Sequence, residues 1–373
     1  MPTLLTVPYV DLARQHAAIK DELLAAAGRV IERGDFILGT EVAEFERRFA
    51  ELCGVAHAVG VNSGMEALVL TLKALDVGGG DEVITPPNSF VASASCVALA
   101  GARPVFVDVD ESYNLDPRLV EAAITPRTKA ILPVHLTGRP AAMEALVEIA
   151  RRHDLAIVED AAQAVLAERH GKRVGAWGTA GCFSLHPLKT LNACGDGGVV
   201  TTDDARLAER LRVLRNLGLR TRDDCVEWST NSRLDTLQAA MLLVKLEHLE
   251  DWTRRRRANA AYYHAHLAGL PGLTLPVERP NEVQVYHTFV VLAERRDALK
   301  AFLAERGIGT SIHYPTPIHL QTAAGSLGHR RGDFPVTEHQ AARILSLPVH
   351  QDLEPHELAY VCETVAEFCR RPA

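Results

Sequence analysis

The sequence predicts an α/β protein in which a large, mostly parallel sheet is followed by a smaller C-terminal α/β domain. Between residues 56 and 160, short apolar runs alternate with segments of helical periodicity, which is the pattern of repeated strand-helix-strand units. The chain has 373 residues, enough for roughly two or three domains. Its residues are 47% hydrophobic and 23% charged, as is typical of a globular protein with a substantial core.

The predicted large domain begins with an N-terminal arm and two amphipathic helices, at residues 18–32 and 41–52. Strands are then expected at residues 56–61, 82–85, 104–108, 129–135 and 155–159, separated by helices at 64–75, 90–100, 117–123 and 141–152. In parallel sheets, ligands bind beyond the carboxyl ends of the strands. The residues after the strands should therefore converge on one crevice: residues 62–64 and 88–90, His135, Asp160 and Lys189.

The rest of the chain predicts a smaller unit. A long helix is expected over residues 235–266, followed by a polar, proline-containing connection. The later elements are a strand at 286–292, a helix at 297–306, a strand at 310–314 and a last helix at 355–369. We expect a boundary near residue 255, so that residues 1–255 form the arm and large domain and residues 256–373 the small domain.

Charge and cysteine content argue against several classes of protein. The net charge of -7 and the pI near 6.2 do not favour binding to nucleic acid or to an anionic membrane. The arginine run at 254–257 follows a helical pattern and is interpreted as a solvated helix face. The seven scattered cysteines include no CxxC pair, which predicts free, buried thiols in a reducing cytoplasm.

No targeting segment, membrane span or metal site is predicted. Charged residues interrupt the first twenty or so positions, so we expect no signal peptide. Residues 83–102 carry no charge, but Pro86 and Pro87 favour a buried strand-loop-helix over a membrane helix. His313 and His319 lie six residues apart with no third ligand at a recognisable spacing, so we predict no metal.

Lys189 lies in a turn between two apolar runs that we interpret as strands, residues 181–185 and 199–202. Pro187 prevents the first strand from continuing, and glycines at 195, 197 and 198 permit a tight bend. One interpretation is an ordinary hairpin with a surface lysine. The other is a lysine held in a pocket and joined to an aldehyde cofactor as a Schiff base. This stretch by itself leaves both open.

Residues 62–66, Asn-Ser-Gly-Met-Glu, join a strand to a helix. The amides of Gly64 and Met65 at a helix N-terminus suit a phosphate group. Alternatively, Ser63 simply caps the helix and occupies those donors. The segment matches neither the dinucleotide-binding nor the nucleoside-triphosphate glycine pattern, so those ligands lose support.

Two carboxylates, Glu159 and Asp160, end an apolar strand, where a charge is costly unless it is paired. Neighbouring strand residues point to opposite faces. One of the two can therefore face the crevice and keep a cofactor ring nitrogen protonated, which makes the ring an electron sink. The alternative is a helix cap by Asp160.

Phe90 and Asn231 each have one functional and one structural interpretation. Phe90 follows a strand and a Pro-Pro turn, and can either stack on a flat cofactor ring or lie in the core. Asn231 precedes the long helix, and can either donate to a phosphate or cap that helix.

Together these stretches resemble the DegT/DnrJ/EryC1/StrS family of sugar aminotransferases, which depend on pyridoxal phosphate. The resemblance covers nearly the whole chain. It rests on motifs in the family's order: GDFILGTEVAEFERRFA (34–50), NSGMEAL (62–68), SFVASA (89–94), VEDAAQA (158–164), FSLHPLKTLNACGDGG (183–198), NSRLDTLQAAML (231–242), IHYPTPIHLQ (312–321), GDFPVTE (332–338) and LSLPVH (345–350).

The resemblance implies an aspartate-aminotransferase type fold (fold type I) and a homodimer whose active sites lie at the subunit interface. Lys189 matches the Schiff-base lysine, and Asp160 matches the partner of the pyridine nitrogen. Gln163 matches a residue near the ring hydroxyl, and Phe90 matches the aromatic residue that stacks on the ring.

The remaining matches concern the phosphate and the sugar. Gly64, Met65 and Ser184 match phosphate contacts, and Asn231 matches a phosphate contact from the other subunit. His313 and Tyr314 lie where the family binds its sugar substrate.

The implied activity is transfer of an amino group from L-glutamate or glutamine to a keto sugar, foremost a nucleotide-linked keto-deoxyhexose. Many members have a tyrosine where this chain has Thr137, which leaves the keto sugar open. Family members that act as dehydratases have histidine in place of the lysine, so Lys189 favours transamination. The alternatives are a dehydratase, an aminotransferase for a cyclitol ketone or non-nucleotide keto sugar, and a non-catalytic regulatory protein that binds pyridoxal phosphate.

Overall fold

The computed structural model describes residues 5–371, which fold around a seven-stranded sheet. The first four residues of the predicted arm lie outside this range. The strands, in chain order, are β1 (His57–Val61), β2 (Glu82–Thr85), β3 (Arg103–Phe106), β4 (Thr128–Ile131), β5 (Ala156–Asp160), β6 (Glu168–Arg169), β7 (Lys172–Arg173), β8 (Ala180–Ser184), β9 (Gly198–Thr202), β10 (Leu219–Thr221), β11 (Asp224–Cys225), β12 (Leu273–Thr274), β13 (Glu282–Val283), β14 (Phe289–Ala293) and β15 (Ile344–Leu347).

Helices separate most of these strands. The α-helices are α1 (Leu12–Ala17), α2 (Lys20–Arg33), α3 (Thr40–Cys53), α4 (Gly64–Ala74), α5 (Ala92–Leu99), α6 (Pro117–Val120), α7 (Met143–His153), α8 (Ala205–Leu214), α9 (Thr236–Leu267), α10 (Arg296–Glu305), α11 (Pro335–Ala341) and α12 (Pro355–Arg370). None of the helices in residues 5–371 combines the length and apolarity needed to cross a membrane.

The large sheet has the strand order β1-β9-β8-β5-β4-β2-β3. Strands β3, β2, β4, β5 and β8 are parallel neighbours, whereas β9 runs antiparallel to both β8 and β1. Its central strands are buried along their length, as expected for a sheet covered on both faces. The predicted α/β class with a mostly parallel sheet is confirmed.

A second core forms around the antiparallel sheet β12-β14-β15, which packs with the C-terminal half of α9 and with α10 and α12. Val7 of the arm belongs to this core and pairs with Ile308. Helix α9 runs without interruption through residue 255. The domain division at 255 therefore stays a prediction.

Several predicted elements differ from the structure. Residues 310–314 do not form a strand: Ser311 makes only an isolated bridge to Ser346 of β15, a strand that the periodicity did not predict. The strand predicted from 286 begins at Phe289, and the one predicted over 129–135 ends at Ile131. Cys194 and Cys225 are exposed, so the expectation of buried thiols is wrong for these two.

Candidate active site

A cavity of about 390 Å³ lies at the carboxyl ends of the parallel strands. The segments after β1, β2, β5 and β8 form one side of it, and the arm, α9 and C-terminal segments form the other. Nearly all of the predicted site residues line it: Gly64, Met65, Phe90, Asp160, Gln163, Ser184, Lys189, His313 and Tyr314. Asn231 does not line it, and His135, which we expected at the crevice, is wholly buried and binds Glu159 instead.

Lys189 lies in the connection between the antiparallel strands β8 and β9, as the two apolar runs predict. Its amide donates to the carbonyl of His186 at 2.8 Å, which closes the turn. Burial lowers the pKa of Lys189 to about 8, and the charge of Asp160 opposes that shift. A buried amine with a pKa near neutrality differs from the lysine of an ordinary surface hairpin, and such an amine can exchange protons at physiological pH.

Asp160 ends β5 and faces the cavity. One carboxylate oxygen accepts a hydrogen bond from the Ser93 hydroxyl at 2.7 Å, and the other accepts one from the Ala162 amide at 3.2 Å. Ser93 in turn is 2.7 Å from the Ser89 hydroxyl, and both serines are buried. No helix begins at Asp160, so it is not a helix cap. These two hydrogen bonds orient the carboxylate, and its remaining lone pairs are available to a ligand in the cavity.

Glu159 points away from the cavity, as alternation along the strand predicts. The Nδ1 atom of His135 accepts a hydrogen bond from the Ala141 amide, so Nε2 carries the proton and donates to Glu159 at 3.0 Å. The other donors to Glu159 are the backbone amides of Gly175, Trp177 and Gly178, at 2.8–2.9 Å. Glu159 therefore ties β5 to the segment that leads into β8.

The N-terminus of α4 forms one end of the cavity. Ser63 caps the helix by accepting from the Glu66 amide at 3.1 Å, yet the amides of Gly64 and Met65 have no partner among residues 5–371. Ser63 therefore caps the helix without occupying the amides of Gly64 and Met65, which stay available, and the phosphate site stays a prediction. A Cβ atom on Gly64 would come 2.6 Å from the Cβ of Ser184. Only glycine lets the helix start approach the serine hydroxyl this closely.

Gln163, Tyr314 and Phe90 form a side of the cavity. The amide of Thr137 donates to the side-chain oxygen of Gln163 at 2.8 Å, so the Gln163 nitrogen faces the Tyr314 hydroxyl at 3.3 Å. The Tyr314 ring lies 5.7 Å from the Phe90 ring, centroid to centroid. Phe90 is 55% exposed, so its interpretation as a core residue is wrong and its ring is available for stacking.

His313 also faces the cavity, with Nδ1 2.9 Å from the Ser346 hydroxyl. Burial lowers its pKa to about 4, and the nearby charge of Lys189 lowers it further. The imidazole is therefore neutral at physiological pH and acts as a hydrogen-bonding group.

Asn231 is exposed and lies outside the cavity of its own chain. Its carbonyl accepts a hydrogen bond from Asn62 at 3.3 Å. Helix α9 begins at Thr236 with Asp235 at the N-cap position, so Asn231 does not cap it.

Several cavity residues were not predicted from the sequence, among them Tyr9, Arg256, His287 and His350. Arg256 corrects an expectation, because it belongs to the arginine run that we interpreted as a solvated helix face. Arg254 and Arg255 are indeed exposed, but Arg256 is only 5% exposed. A run of four like residues must cover more than one face of a helix, since successive positions differ by about 100°.

The chain is similar to known aminotransferases over most of its length. Residues 17–366 match the model of the DegT/DnrJ/EryC1/StrS aminotransferase family. A dTDP-3-amino-3,4,6-trideoxy-alpha-D-glucose transaminase of Streptomyces venezuelae is 49% identical over 98% of this chain and 97% of its own. A UDP-N-acetyl-3-dehydro-alpha-D-glucosamine 3-aminotransferase of Acidithiobacillus ferrooxidans is 43% identical over 96% and 97%.

A solved structure has the same fold. The crystal structure of S. venezuelae DesV in complex with a ketimine intermediate is 48% identical and has a TM-score of 0.97, covering 99% of this chain and 100% of that one. The predicted aspartate-aminotransferase type fold is thereby confirmed.

Proposed function

Because the chain belongs to the DegT/DnrJ/EryC1/StrS aminotransferase family, we propose that it moves an amino group from L-glutamate or glutamine to a nucleotide-linked keto sugar. It is a pyridoxal-phosphate-dependent aminotransferase by family and by its similarity to sugar transaminases. The observation that carries the proposal is one cavity lined by a lysine of lowered pKa, a carboxylate and two free helix amides.

The donor set fits pyridoxal phosphate from end to end. The free amides of Gly64 and Met65, together with the Ser184 hydroxyl, suit the phosphate dianion because a helix N-terminus favours negative charge. Asp160 has unused lone pairs for a protonated ring nitrogen. The exposed Phe90 ring suits stacking.

When bound, pyridoxal phosphate supplies an aldehyde that carries the amino group and a cationic ring that withdraws electrons from the substrate carbon. Lys189 would hold the aldehyde group of the cofactor, and its Nζ atom would move the proton at the donor's α-carbon. Its pKa of about 8 lets it accept and return that proton. Asp160 would keep the ring nitrogen protonated, and Gln163 would lie near the ring hydroxyl.

His313 and Tyr314 are proposed to contact the sugar, since both line the cavity. The relatives' names include dTDP- and UDP-linked sugars, which supports a nucleotide sugar as the acceptor. Thr137 replaces a tyrosine of many members, and its amide supports Gln163. The particular sugar is therefore to be identified with a panel of dTDP- and UDP-linked keto sugars.

We propose a homodimer in which Asn231 reaches the phosphate site of the partner subunit. Asn231 is exposed and lies outside its own cavity, which supports that role. The apolar residues Phe36, Ile37 and Leu38 are exposed beside the start of α9 and suit burial by a second copy. The unpaired cysteines support a cytoplasmic location. We also propose residue 255 as the domain division, within α9.

The test begins with purified protein and pyridoxal phosphate. Saturation should give the absorbance of lysine-bound cofactor, and L-glutamate should convert the cofactor to pyridoxamine phosphate with release of 2-oxoglutarate. The enzyme with bound pyridoxamine phosphate is then incubated with dTDP- and UDP-linked keto sugars, and the amino-sugar product is identified by mass spectrometry. Lys189→Ala should lack both the absorbance and the turnover. Failure of glutamate and glutamine to convert the cofactor would reject the proposal.

A further inference from the structure

One wall of the cavity is formed by Tyr9, Arg256, His287 and His350, which we call the arm–helix wall. These residues come from the N-terminal arm, from α9 and from the segments that flank β14 and β15. The phosphate end and Asp160 lie in the large sheet instead. None of the proposed cofactor contacts comes from this wall.

Arg256 is the charged member of the wall and has unused hydrogen-bonding capacity. Its Nε donates to the Gln351 side chain at 3.0 Å, and its Nη1 donates to the carbonyls of Tyr286 and His287, both at 3.3 Å. Its Nη2 donates to no group within residues 5–371. No carboxylate of the described chain lies within 4.0 Å of the guanidinium, although Asp352 is near enough to raise its pKa.

Burial of an unpaired cation is unfavourable. Desolvation accordingly lowers the pKa of Arg256 to about 10, and the Tyr9 hydroxyl and Asp352 only partly offset it. The guanidinium nevertheless stays protonated at physiological pH. An anion that enters the cavity would therefore pair with the Arg256 guanidinium, which has no carboxylate partner within the described chain.

Two histidines beside Arg256 also have unpartnered atoms. The Nδ1 atom of His287 is buried without a hydrogen-bond partner in the described chain, and His350 has only the Pro8 carbonyl as an acceptor there, which leaves its other ring nitrogen unpartnered. His350 is only 2% exposed, and burial lowers its pKa to about 4. Buried polar atoms are rarely left unpaired. The unpaired nitrogens of these neutral rings therefore indicate that a polar ligand forms hydrogen bonds with this wall.

The charges that line the cavity restrict the identity of that ligand. The cationic side chains are Lys189 and Arg256, and the anionic ones are Asp160 and Asp196. Lys189 and Asp160 are assigned to the cofactor, so Arg256 remains as the cation for a second anion. His287 lies near both cations, because each lowers its pKa. A ligand that reacts at Lys189 can thus extend past His287 to Arg256.

We infer that Arg256, assisted by His350, binds a carboxylate of the amino-acid donor. This inference rests on the proposed function. The donor's α-carboxylate is attached to the carbon that reacts beside Lys189, whereas the diphosphate of a nucleotide sugar is separated from its reacting carbon by part of the sugar ring. A planar guanidinium suits a carboxylate, since two N–H groups can bind its two oxygens. Arg256 is thereby a specificity-determining residue for the donor half of the reaction, and the sugar half does not require it.

The competing interpretation is structural, because Arg256 also joins α9 to the carbonyls before β14. The experiment compares Arg256→Gln with the wild-type protein, both loaded with pyridoxal phosphate. Arg255→Gln is the matched control, since Arg255 is the next arginine of the same helix but is exposed and pairs with Asp251. Glutarate, which has two carboxylates and no amine, is titrated by calorimetry. L-Glutamate is then used in single-turnover measurements.

Arg256→Gln should weaken glutarate binding and raise the half-saturating glutamate concentration by roughly 10- to 100-fold, the loss expected for a charged hydrogen bond. The limiting rate should stay within about threefold, because the reacting groups are untouched. His350→Gln should weaken glutarate binding by roughly 3- to 10-fold, which keeps the inference testable if Arg256→Gln does not fold. Arg255→Gln should match the wild type.

Unchanged glutarate affinity in Arg256→Gln, or in His350→Gln where the arginine variant is unfolded, would overturn the inference. So would a fall in limiting rate with no change in half-saturation, which would assign Arg256 a structural role. A wild-type protein that binds glutarate but does not react with glutamate or glutamine would reject the proposed function and leave the carboxylate site in place.

Discussion

Two neighbouring carboxylates at the end of β5 lie on opposite faces of the sheet and have opposite surroundings. Glu159 accepts four hydrogen bonds, from three backbone amides and the His135 ring. Asp160 accepts two, from Ser93 and from the Ala162 amide. A carboxylate has about four acceptor sites. The protein supplies donors to all of the sites of Glu159, but to only about half of those of Asp160.

This difference separates a carboxylate that holds the structure from one that is available for chemistry. Both are buried, at 0% and 5% exposure, so burial alone does not distinguish them. The number of donors supplied by the protein does. Charge pairing likewise distinguishes two buried arginines: Arg139 donates to the carboxylate of Glu282 at 2.9 Å, whereas no carboxylate of the described chain lies within 4.0 Å of the Arg256 guanidinium.

The largest effect is expected from Asp160→Asn. A neutral amide can no longer stabilise a protonated ring nitrogen, so the rate of the half-reaction with L-glutamate should fall by about 10³-fold or more. Stopped-flow single turnovers measure this rate. Thermal unfolding should show little change, because the Asn oxygen can accept from the Ala162 amide and the Asn nitrogen can donate to the Ser93 hydroxyl oxygen. A half-reaction rate close to that of the wild type would show that Asp160 does not act on the cofactor ring.

Glu159→Gln should have the opposite effect, a loss of stability with little change in the rate of the half-reaction. The amide nitrogen would face hydrogen-bond donors in a fully buried site, so the free energy of unfolding should fall by about 3 kcal/mol. Urea unfolding of the cofactor-free protein measures it. The rate constant per folded, cofactor-loaded molecule should stay within about threefold of the wild type. A large loss of rate with unchanged stability would contradict the assignment of Glu159 to the structure.

Ser93→Ala tests how far the support behind Asp160 matters. Removing one hydrogen bond to a charged group should lower the half-reaction rate by roughly tenfold. The pKa of the cofactor's ring nitrogen, followed through the absorbance of bound cofactor, should fall, because the carboxylate is less well oriented towards that nitrogen. Ser93→Thr, which keeps the hydroxyl, should recover most of the rate. Equal behaviour of the two variants would exclude a role for the hydroxyl.

The smallest effect concerns the pH dependence of Lys189. Its pKa is lowered to about 8, so the reactive neutral amine is a minor species at pH 7 and half of the population at pH 8. The rate at which cofactor-free protein binds pyridoxal phosphate should rise about fivefold over that interval and level off above it.

Variants at the two carboxylates sharpen this test. Asp160 opposes the lowering of the Lys189 pKa, so Asp160→Asn should move the midpoint of the binding-rate profile below pH 8. Glu159→Gln should leave the midpoint unchanged, because Glu159 faces the other side of the sheet. A shift of equal size in both variants would contradict the separation of the two faces.

Much of the fold and of the site followed from local patterns. The strand predicted over 82–85 has those bounds in the structure, and Lys189 lies between two strands as expected. The prediction was wrong for residues 310–314, since a polar turn paired only at Ser311 was taken for a strand. It also missed β15, which is short and whose pairing partner β14 lies some fifty residues earlier in the chain.

The sequence by itself determined the features that depend on neighbouring residues. Periodicity set the alternation of strands and helices, and the strand ends set which segments meet at the cavity. Residue patterns left open whether Glu159 or Asp160 faces that cavity; the family resemblance implied Asp160, and Asp160 lines the cavity in the structure. Only the tertiary structure decided that Arg256 joins Tyr9 and His350 in one wall. The reason is physical: which face a side chain occupies depends on how distant segments pack, and no local spacing records that packing.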